Sequence, residues 1–317
     1  MSYDIEHFNN VLKQHRLLRR FASWRRNIVS LRYGLGFIRA ALKKDATAQW
    51  RHWNGAYVPL ESGHYFYIPR ELELHGYTVL TRGVEDNYVA TLLVRFCEPG
   101  AVVVDVGANI GEMTFHFARS VGSQGRVFAF EPIPFLADAV ARTAAINGMT
   151  QVTVANAAVS SQAGTLHIEA EYDKNNIVDS GGSRVTVEAT NKSVPVATVV
   201  LDDWLLPQLG EDESISLLKI DVEGHELPVL LGAQRLLAAH GPALAIEIGH
   251  ESEDARHQMA ALLTPLGYVP TAAIFRVGLL PLTWDNFVAL SGPLKAGGSY
   301  DILLLKPRPE SGLVTSF

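Results

Sequence analysis

The chain has 317 residues, of which 48% are hydrophobic and 19% charged, so it can bury one substantial core plus an appendage or a small second domain. Its single cysteine, Cys97, excludes a disulfide framework and a cysteine-ligated zinc site, and we expect a cytoplasmic protein. The net charge is −6, no signal-peptide core begins the chain, and no run reaches the about 18–20 apolar residues that span a bilayer.

The charge is unevenly distributed along the chain. Residues 1–44 carry ten Lys or Arg and two acids, a charge of +8, which leaves 17 bases and 31 acids, a charge of −14, for the rest. Apolar residues recur there with alternating spacings of three and four, which predicts a basic amphipathic helix over residues 1–45. Three covers for its apolar stripe stay open: the protein's own body, a second copy in a homodimer, or the headgroups at the inner face of a membrane.

The remaining chain divides into a short accessory region and one large domain. Residues 46–90 are rich in Tyr, Trp and Gly and predict loops and brief strands. We therefore assign residues 1–83 to an N-terminal accessory segment and residues 84–317 to the main domain.

The main domain alternates apolar strands with helices from Ala101 onward, which predicts an α/β fold with a doubly wound, mostly parallel sheet of seven strands. Two strand-like runs around a polar stretch interrupt this alternation over residues 164–200 and predict an inserted β-hairpin. Beyond it we predict a helix from Glu226 to Ala239. The segments NFVAL (286–290) and YDILLLK (300–306) are predicted as late strands that close the sheet.

A loop rich in small residues follows the first strand of this alternation. The strand ends at Asp105, and Gly107, Ala108 and Gly111 then form a tight turn that lets a ligand approach the backbone. Asn109 stands where a dinucleotide-binding turn has a small residue, and no Lys-Ser/Thr pair for a nucleoside triphosphate follows. The loop therefore fits neither NAD nor ATP well.

Glu131 ends the next predicted strand, 26 residues after Asp105. A carboxylate at this position can accept hydrogen bonds from both hydroxyls of a ribose that lies over the glycine loop. Together these residues suit S-adenosylmethionine, because its amino group and ribose donate hydrogen bonds and its sulfonium prefers an acidic lining. The alternative, an ordinary strand-to-helix turn with a solvated glutamate, stays open.

A second cluster of charged residues lies in the segment LLKIDVEGHELPVLLGA. The functional interpretation places Asp221 and Glu223 at the carboxyl edge of the sheet, facing the methyl group of the cofactor. His225 is then the base that takes a proton from an acceptor hydroxyl. The structural alternative treats Glu226 as a favourable acid in the first turn of the next helix and Asp221 as the cap of that helix.

The next strand, ALAIEI, brings further groups to the same edge. Glu247 lies near its end and His250 follows three residues later, so His250 is an alternative base. Asp221, Glu223 and Glu247 could also supply oxygen ligands to magnesium. The sequence disfavours this metal, because it shows no cysteine and no tight ligand spacing.

On these segments the sequence resembles the FkbM-type S-adenosylmethionine-dependent methyltransferases. That family shares a DVGANxG loop and a KIDVEGxE motif, which read here DVGANIG at 105–111 and KIDVEGHE at 219–226. The resemblance covers about residues 84–270. It implies a Rossmann-like class I methyltransferase fold and methyl transfer to a hydroxyl of a small molecule, usually a sugar, glycan or polyketide-like product.

The resemblance also implies which residues hold the cofactor. By motif match these are Asp105, Gly107, Asn109, Gly111 and Glu131. An acidic residue ahead of the first strand, here Glu85, closes over the methionine end of the cofactor. We also assign Asn156, which precedes the matching AAVS segment, and Asp221 to the cofactor site.

Two rival functions stay open at this stage. The first is a degenerate fold that binds the cofactor or a partner protein without catalysis. The second is a nucleic-acid methyltransferase, which the +8 segment motivates. The acidic body and the absence of an Asn-Pro-Pro-aromatic or Pro-Cys turn argue against the second, so we expect no nucleic-acid partner.

Overall fold

The computed structural model describes seven stretches of the chain: residues 55–60, 62–69, 88–169, 184–186, 193–275, 278–295 and 298–306. The predicted basic helix over residues 1–45 and the predicted cofactor residue Glu85 lie outside these stretches. Among the described helices, none combines the length and the apolar content that crossing a bilayer needs.

Strands and helices alternate through most of the described chain. The strands are β1 Ala56–Pro59, β2 Tyr65–Ile68, β3 Val102–Val106, β4 Arg126–Phe130, β5 Val152–Ala155, β6 Ala158–Val159, β7 Gly164–Glu169, β8 Arg184–Thr186, β9 Ser193–Val199, β10 Ile215–Ile220, β11 Ala243–Ile248, β12 Val269–Phe275, β13 Gly278–Pro281 and β14 Tyr300–Leu305. The α-helices are α1 Tyr88–Leu93, α2 Glu112–Val121, α3 Pro134–Ile146, α4 Leu201–Leu205, α5 Glu226–Leu231, α6 Gln234–His240, α7 Glu253–Leu263 and α8 Trp284–Ala289.

The central sheet has eight strands in the order β13-β12-β14-β11-β10-β3-β4-β5. The five consecutive strands from β11 to β5 run parallel, and β14 pairs antiparallel with both of its neighbours. The doubly wound, mostly parallel sheet is therefore confirmed. It has one strand more than the seven predicted, because β12 and β13 form an antiparallel hairpin at its edge.

Helices cover both faces of the sheet, and successive residues of a strand enter opposite cores. In β3, Val103 packs into the core that contains Phe117, whereas Val104 packs into the core of Leu230 and Leu237, and all five side chains are fully buried. Each such side chain contributes about 1.5–3 kcal/mol to stability. Strands of this kind are apolar on both faces, so polar residues concentrate where the strands end.

The β1–β2 hairpin packs against the main domain ahead of α1. Phe66 and Ile68 are buried in the same core as Val103. The backbone N–H of Tyr67 donates to Oγ1 of Thr143 on α3 over 3.0 Å. The brief strands expected within residues 46–90 are thus present, and they cover one flank of the domain.

The hairpin predicted over residues 164–200 is confirmed and belongs to a second sheet. The two predicted strands are β7 and β8, which pair antiparallel. On its other side β7 pairs antiparallel with β9, and β9 pairs parallel with β6, which gives the order β6-β9-β7-β8. Ile168, Val196 and Ala158 form a small buried cluster on one face of this sheet. This second sheet therefore lies beside the carboxyl ends of β4 and β5.

Two predictions about secondary structure are wrong. The helix predicted from Glu226 to Ala239 is divided into α5 and α6 at Gly232, where a Cβ would lie 2.3 Å from the carbonyl oxygen of Ser160. The close approach requires glycine at this position, and glycine favours a helix interruption because it has a low helix propensity. The NFVAL segment, predicted as a strand, forms most of α8, because Thr283 and Asn286 cap the start of that helix reciprocally.

Candidate active site

The glycine loop that follows β3 lies between β4 and β10. The N–H groups of Gly107 and Ala108 both donate to the carbonyl oxygen of Phe130 over 3.0 Å. Gly107 has a φ of +80°, and a Cβ at this position would lie 1.8 Å from the carbonyl oxygen of Asp221. A side chain cannot occupy this position, so only glycine lets the DVGANIG loop lie this close to the KIDVEGHE motif.

Glu131 lies directly after β4 beneath this loop and is only 4% exposed. Its Oε2 accepts the N–H of Asn109 over 2.8 Å, and its Oε1 accepts the N–H of Ile133 over 2.9 Å. Burial raises the pKa of Glu131 to about 7, although these hydrogen bonds favour the ionised form. A carboxylate oxygen accepts more than one hydrogen bond, so the fixed group can still bind ligand hydroxyls.

A cavity opens above Glu131. Its lining comes from the glycine loop, the residues after β4, the second sheet and the loop after β10: Val106, Gly107, Asn109, Phe130, Glu131, Pro132, Ile133, Leu136, Ala157, Ala158, Val159, Ile168, Asp221, Val222, Glu223 and His225. One wall is therefore apolar, and the opposite rim is acidic.

Asn156 does not belong to this lining. Its side-chain amide donates to the carbonyl oxygens of Glu131 and Pro132, each over 2.9 Å. The structure thus places Asn156 behind the cavity, where it fixes the backbone that carries Glu131. Gly111, which we also assigned to the cofactor, directly precedes α2. It lies against Val140 of α3.

Asp105 is fully buried under the glycine loop. Thr114 donates its hydroxyl to Oδ2 of Asp105 over 2.6 Å, and Nζ of Lys219 lies 3.7 Å from Oδ1. Within the described residues, this Oδ1 has no hydrogen-bond partner. Burial raises the pKa of Asp105, and the charge of Lys219 and the bond from Thr114 oppose that rise.

The loop after β10 brings Asp221, Glu223 and His225 to the rim of the cavity. Buried Glu226 holds this loop, because its Oε1 accepts the N–H of Gly224 over 3.0 Å and that of Val222 over 3.4 Å. Burial raises the pKa of Glu226 to about 7. Glu226 is therefore more than a favourable acid in the first turn of a helix.

His225 is the residue that directly precedes α5, and no side-chain cap closes that helix. Asp221 is thus not the cap that the structural alternative required. Nε2 of His225 lies 3.0 Å from the hydroxyl oxygen of Ser160. Burial lowers the pKa of His225, so its imidazole is neutral at neutral pH and can accept a proton.

The end of β11 and the loop after it add two groups to the same edge. Nε2 of His250 lies 3.1 Å from Oε2 of Glu223. Glu247 forms a side-chain hydrogen bond with Asp221, and burial and the charge of Asp221 raise the pKa of Glu247 to about 9. Burial alone would raise the pKa of Asp221, but the charge of Lys219 and the bond from Glu247 hold it below its ordinary value.

The two motifs at this edge match a known domain. The model of the methyltransferase FkbM domain matches residues 105–270, which is more than half of the chain. The chain belongs to the FkbM methyltransferase family.

Two curated relatives of this FkbM domain are methyltransferases. The chain is 31% identical over 156 residues to the hexuronic acid methyltransferase AglP of Haloferax volcanii, a match that covers 49% of this chain and 59% of AglP. It is 32% identical over 154 residues to the methyltransferase sdnD of Sordaria araneosa, covering 41% of this chain and 59% of sdnD. The chain thus spans less than two thirds of the length of either relative.

Similar solved structures include a methyltransferase FkbM from Methylobacillus flagellatus, with 20% identity, a TM-score of 0.36, and coverage of 59% of this chain and 47% of that chain. Another is an S-adenosylmethionine-dependent O-methyltransferase from Thermotoga maritima, with 16% identity, a TM-score of 0.39, and coverage of 84% and 83%.

The sequence-based assignment missed two charged residues at this edge of the sheet. Lys219 is buried, and its Nζ donates to Oδ2 of Asp221 over 2.9 Å and to the carbonyl oxygen of Gly107 over 3.3 Å. Its signal was a lysine inside an otherwise apolar strand. Asp301 pairs in register with Glu247, and burial and the charge of Asp221 raise its pKa to about 6.

Proposed function

We propose that this chain transfers a methyl group from S-adenosylmethionine to a hydroxyl oxygen of a sugar, glycan or polyketide-like natural product. The observation that carries the proposal is Glu131, a buried carboxylate that two backbone N–H groups fix in the lining of the cavity beside the glycine loop. Membership of the FkbM methyltransferase family supports the reaction class. The relative AglP is a hexuronic acid methyltransferase, which supports a sugar acceptor.

The residues around the cavity fit this cosubstrate. Glu131 would accept hydrogen bonds from the ribose hydroxyls, and Ile133 and Leu136 offer an apolar surface for the adenine. Gly107 lets the glycine loop lie directly against Asp221, and both residues line the same cavity. Asp105 is fully buried and does not line the cavity, so it would support the glycine loop from beneath through Thr114 and Lys219 rather than contact the ligand.

Methyl transfer from S-adenosylmethionine needs little acid–base catalysis by the protein. When bound, S-adenosylmethionine supplies a methyl group activated by a positive sulfonium. Asp221 and Glu223 would orient the acceptor at the rim of the cavity, and correct orientation can supply much of the rate enhancement. His225, which burial keeps neutral, would take the hydroxyl proton.

Calorimetric titration with S-adenosylmethionine and its demethylated product tests the proposal. Wild-type protein is compared with Glu131→Gln and with Glu211→Gln, a matched exchange at an exposed glutamate. We expect micromolar binding to wild type, a loss of about tenfold or more for Glu131→Gln because hydrogen bonds to a charged group are lost, and no change for Glu211→Gln.

Failure of folded wild type to bind either ligand would overturn the proposal and favour a partner-binding role for the fold. If binding is found, radiolabelled methyl transfer to a panel of sugars and glycans follows. Binding without turnover over the whole panel would favour the catalytically degenerate alternative.

A further inference from the structure

We propose that Glu223, Glu247 and His250 form a binding site for a divalent cation at the acceptor side of the cavity. One carboxylate oxygen from each glutamate and one imidazole nitrogen of His250 all lie within 4.8 Å of one another. Ligand atoms that share one ion at about 2.0–2.3 Å lie about 3–4.5 Å apart, so small side-chain rotations suffice. This inference rests on the proposed methyltransferase function and deepens it.

Neighbouring strands bring the three residues together. Glu223 follows β10, whereas Glu247 and His250 lie at the end of β11, and these two strands are adjacent and parallel. The two loops also touch, because a Cβ at Gly224 would lie 3.4 Å from the carbonyl oxygen of His250. The ligand set thus stands on the ends of rigid strands, as a preformed metal site requires.

The carboxyl groups near the cluster outnumber the ammonium groups among the described residues. Those of Asp105, Asp221, Glu247 and Asp301 interact around the ammonium group of Lys219, which already donates to Asp221 and to the carbonyl oxygen of Gly107. In the metal-free protein a proton on Glu247 offsets part of this excess, because the pKa of Glu247 is raised to about 9. A divalent cation would displace that proton, since metal ligands bind in their deprotonated form.

The position of the cluster also leaves room for further ligands. The side chains of His250 and Glu223 are 31% and 20% exposed, so an ion can enter from solvent and keep open coordination positions. Glu223 also lines the cofactor cavity, which places the cation between solvent and the methyl donor site. Two adjacent hydroxyl oxygens of an acceptor would complete the shell, which points to a vicinal diol as the substrate class.

The ligand types favour particular ions. Two carboxylates and one imidazole suit Mn²⁺ better than Mg²⁺, which prefers oxygen ligands and retains its waters. A bound cation would act as a Lewis acid, lower the pKa of the coordinated hydroxyl and fix its orientation. The proton of that hydroxyl would then pass more readily to a base.

Titration of the full, chelator-treated chain with MnCl₂ in the absence of S-adenosylmethionine tests the site, with free Mn²⁺ followed by electron paramagnetic resonance. We expect one equivalent to bind saturably to wild type. Glu247→Gln and His250→Ala should each weaken binding by about tenfold or more, since each removes one ligand. The matched exchanges Glu211→Gln and His257→Ala, both at exposed positions, should leave it unchanged.

Circular dichroism melting confirms that each variant is folded, and Glu223→Gln serves as a second ligand variant if Glu247→Gln is not. Absence of saturable binding to wild type, or equal losses in the matched exchanges, would overturn the cation site. S-adenosylmethionine binding in the same samples separates the two proposals. Binding of S-adenosylmethionine without binding of Mn²⁺ removes only the cation site. Binding of Mn²⁺ without binding of S-adenosylmethionine removes only the proposed methyl transfer.

Discussion

Gly107 and Asp221 are in direct backbone contact, so close that a Cβ on Gly107 would lie 1.8 Å from the carbonyl oxygen of Asp221. Each residue lies in one of the two motifs by which the family is recognised. The N–H of Asp221 also donates to the carbonyl oxygen of Val106 over 3.0 Å. The contact therefore fixes the floor of the cavity against its acidic rim.

Gly107→Ala should lower the free energy of unfolding by at least about 2 kcal/mol, because a clash adds to the unfavourable φ of +80°. Gly148→Ala is the matched control: Gly148 has a φ of +65°, but no atom lies within 4 Å of its added Cβ. That exchange should cost about 1 kcal/mol. Urea unfolding measures both, and equal losses would show that the contact with Asp221 has no energetic weight.

The affinity for S-adenosylmethionine should depend on pH through Glu131. Its pKa rises from 4.5 in the unfolded chain to about 7 in the fold, mainly because the group is buried. Ribose hydroxyls donate to the ionised carboxylate, so affinity should level off above pH 7. Below that value it should fall by up to about tenfold per pH unit.

Calorimetry from about pH 5.5 to 8.5 measures this dependence. Glu131→Gln should remove most of the slope, since the amide does not titrate. The stability of the free protein should change in the opposite sense. The unfolded chain ionises Glu131 first, so stability declines as pH rises from 4.5 towards 7 and then stays level. A pH-independent affinity of wild type would contradict the assignment of Glu131 to the ribose.

Lys219→Met should destabilise the fold strongly. The exchange preserves side-chain volume but leaves the buried carboxyl of Asp105 and the half-buried carboxyl of Asp221 without their cation, at a cost of about 3–5 kcal/mol. Arg235→Met removes an exposed guanidinium that pairs with Asp203 and lies 3.6 Å from Asp202, whose carboxylate keeps two backbone N–H donors, and it should cost less than about 1 kcal/mol. Chemical denaturation compares the two, and Asp221→Asn in the Lys219→Met background should recover part of the loss.

The arrangement of the cavity could be predicted because the side chains concerned follow strand ends. Parallel strands place their carboxyl ends on one edge of a sheet, so residues that follow β4 and β10 must meet there. Glu131, Asp221 and Glu223 accordingly lie around one cavity. The order of the strands was not needed for this inference, only their parallel direction.

Other features depend on contacts between residues distant in sequence. Asp301 reaches the acidic cluster only because β14 inserts antiparallel beside β11. The need for glycine at position 232 comes from the nearby carbonyl oxygen of Ser160, which local helix periodicity cannot reveal. The apolar residues of NFVAL suit a strand, but the cap formed by Thr283 and Asn286 determines a helix. Local patterns thus predicted elements, whereas tertiary contacts decided where several of them end.

Glu226 offers a direct comparison between a structural role and an ordinary helix preference. It lies in the first turn of α5, and Glu253 lies in the first turn of α7. A glutamate in such a position contributes about 0.3–1 kcal/mol through the helix dipole. Glu226 also accepts the N–H groups of Gly224 and Val222, so its loss removes two hydrogen bonds that hold this loop.

We therefore expect Glu226→Ala to lower the free energy of unfolding by at least about 2 kcal/mol, against less than about 1 kcal/mol for Glu253→Ala. Glu226→Gln retains an acceptor oxygen for the loop and should recover most of the loss. Denaturant unfolding of the three variants measures these differences. Similar losses for Glu226→Ala and Glu253→Ala would reduce Glu226 to a helix-favouring residue, and the loop that carries Glu223 would then need another support.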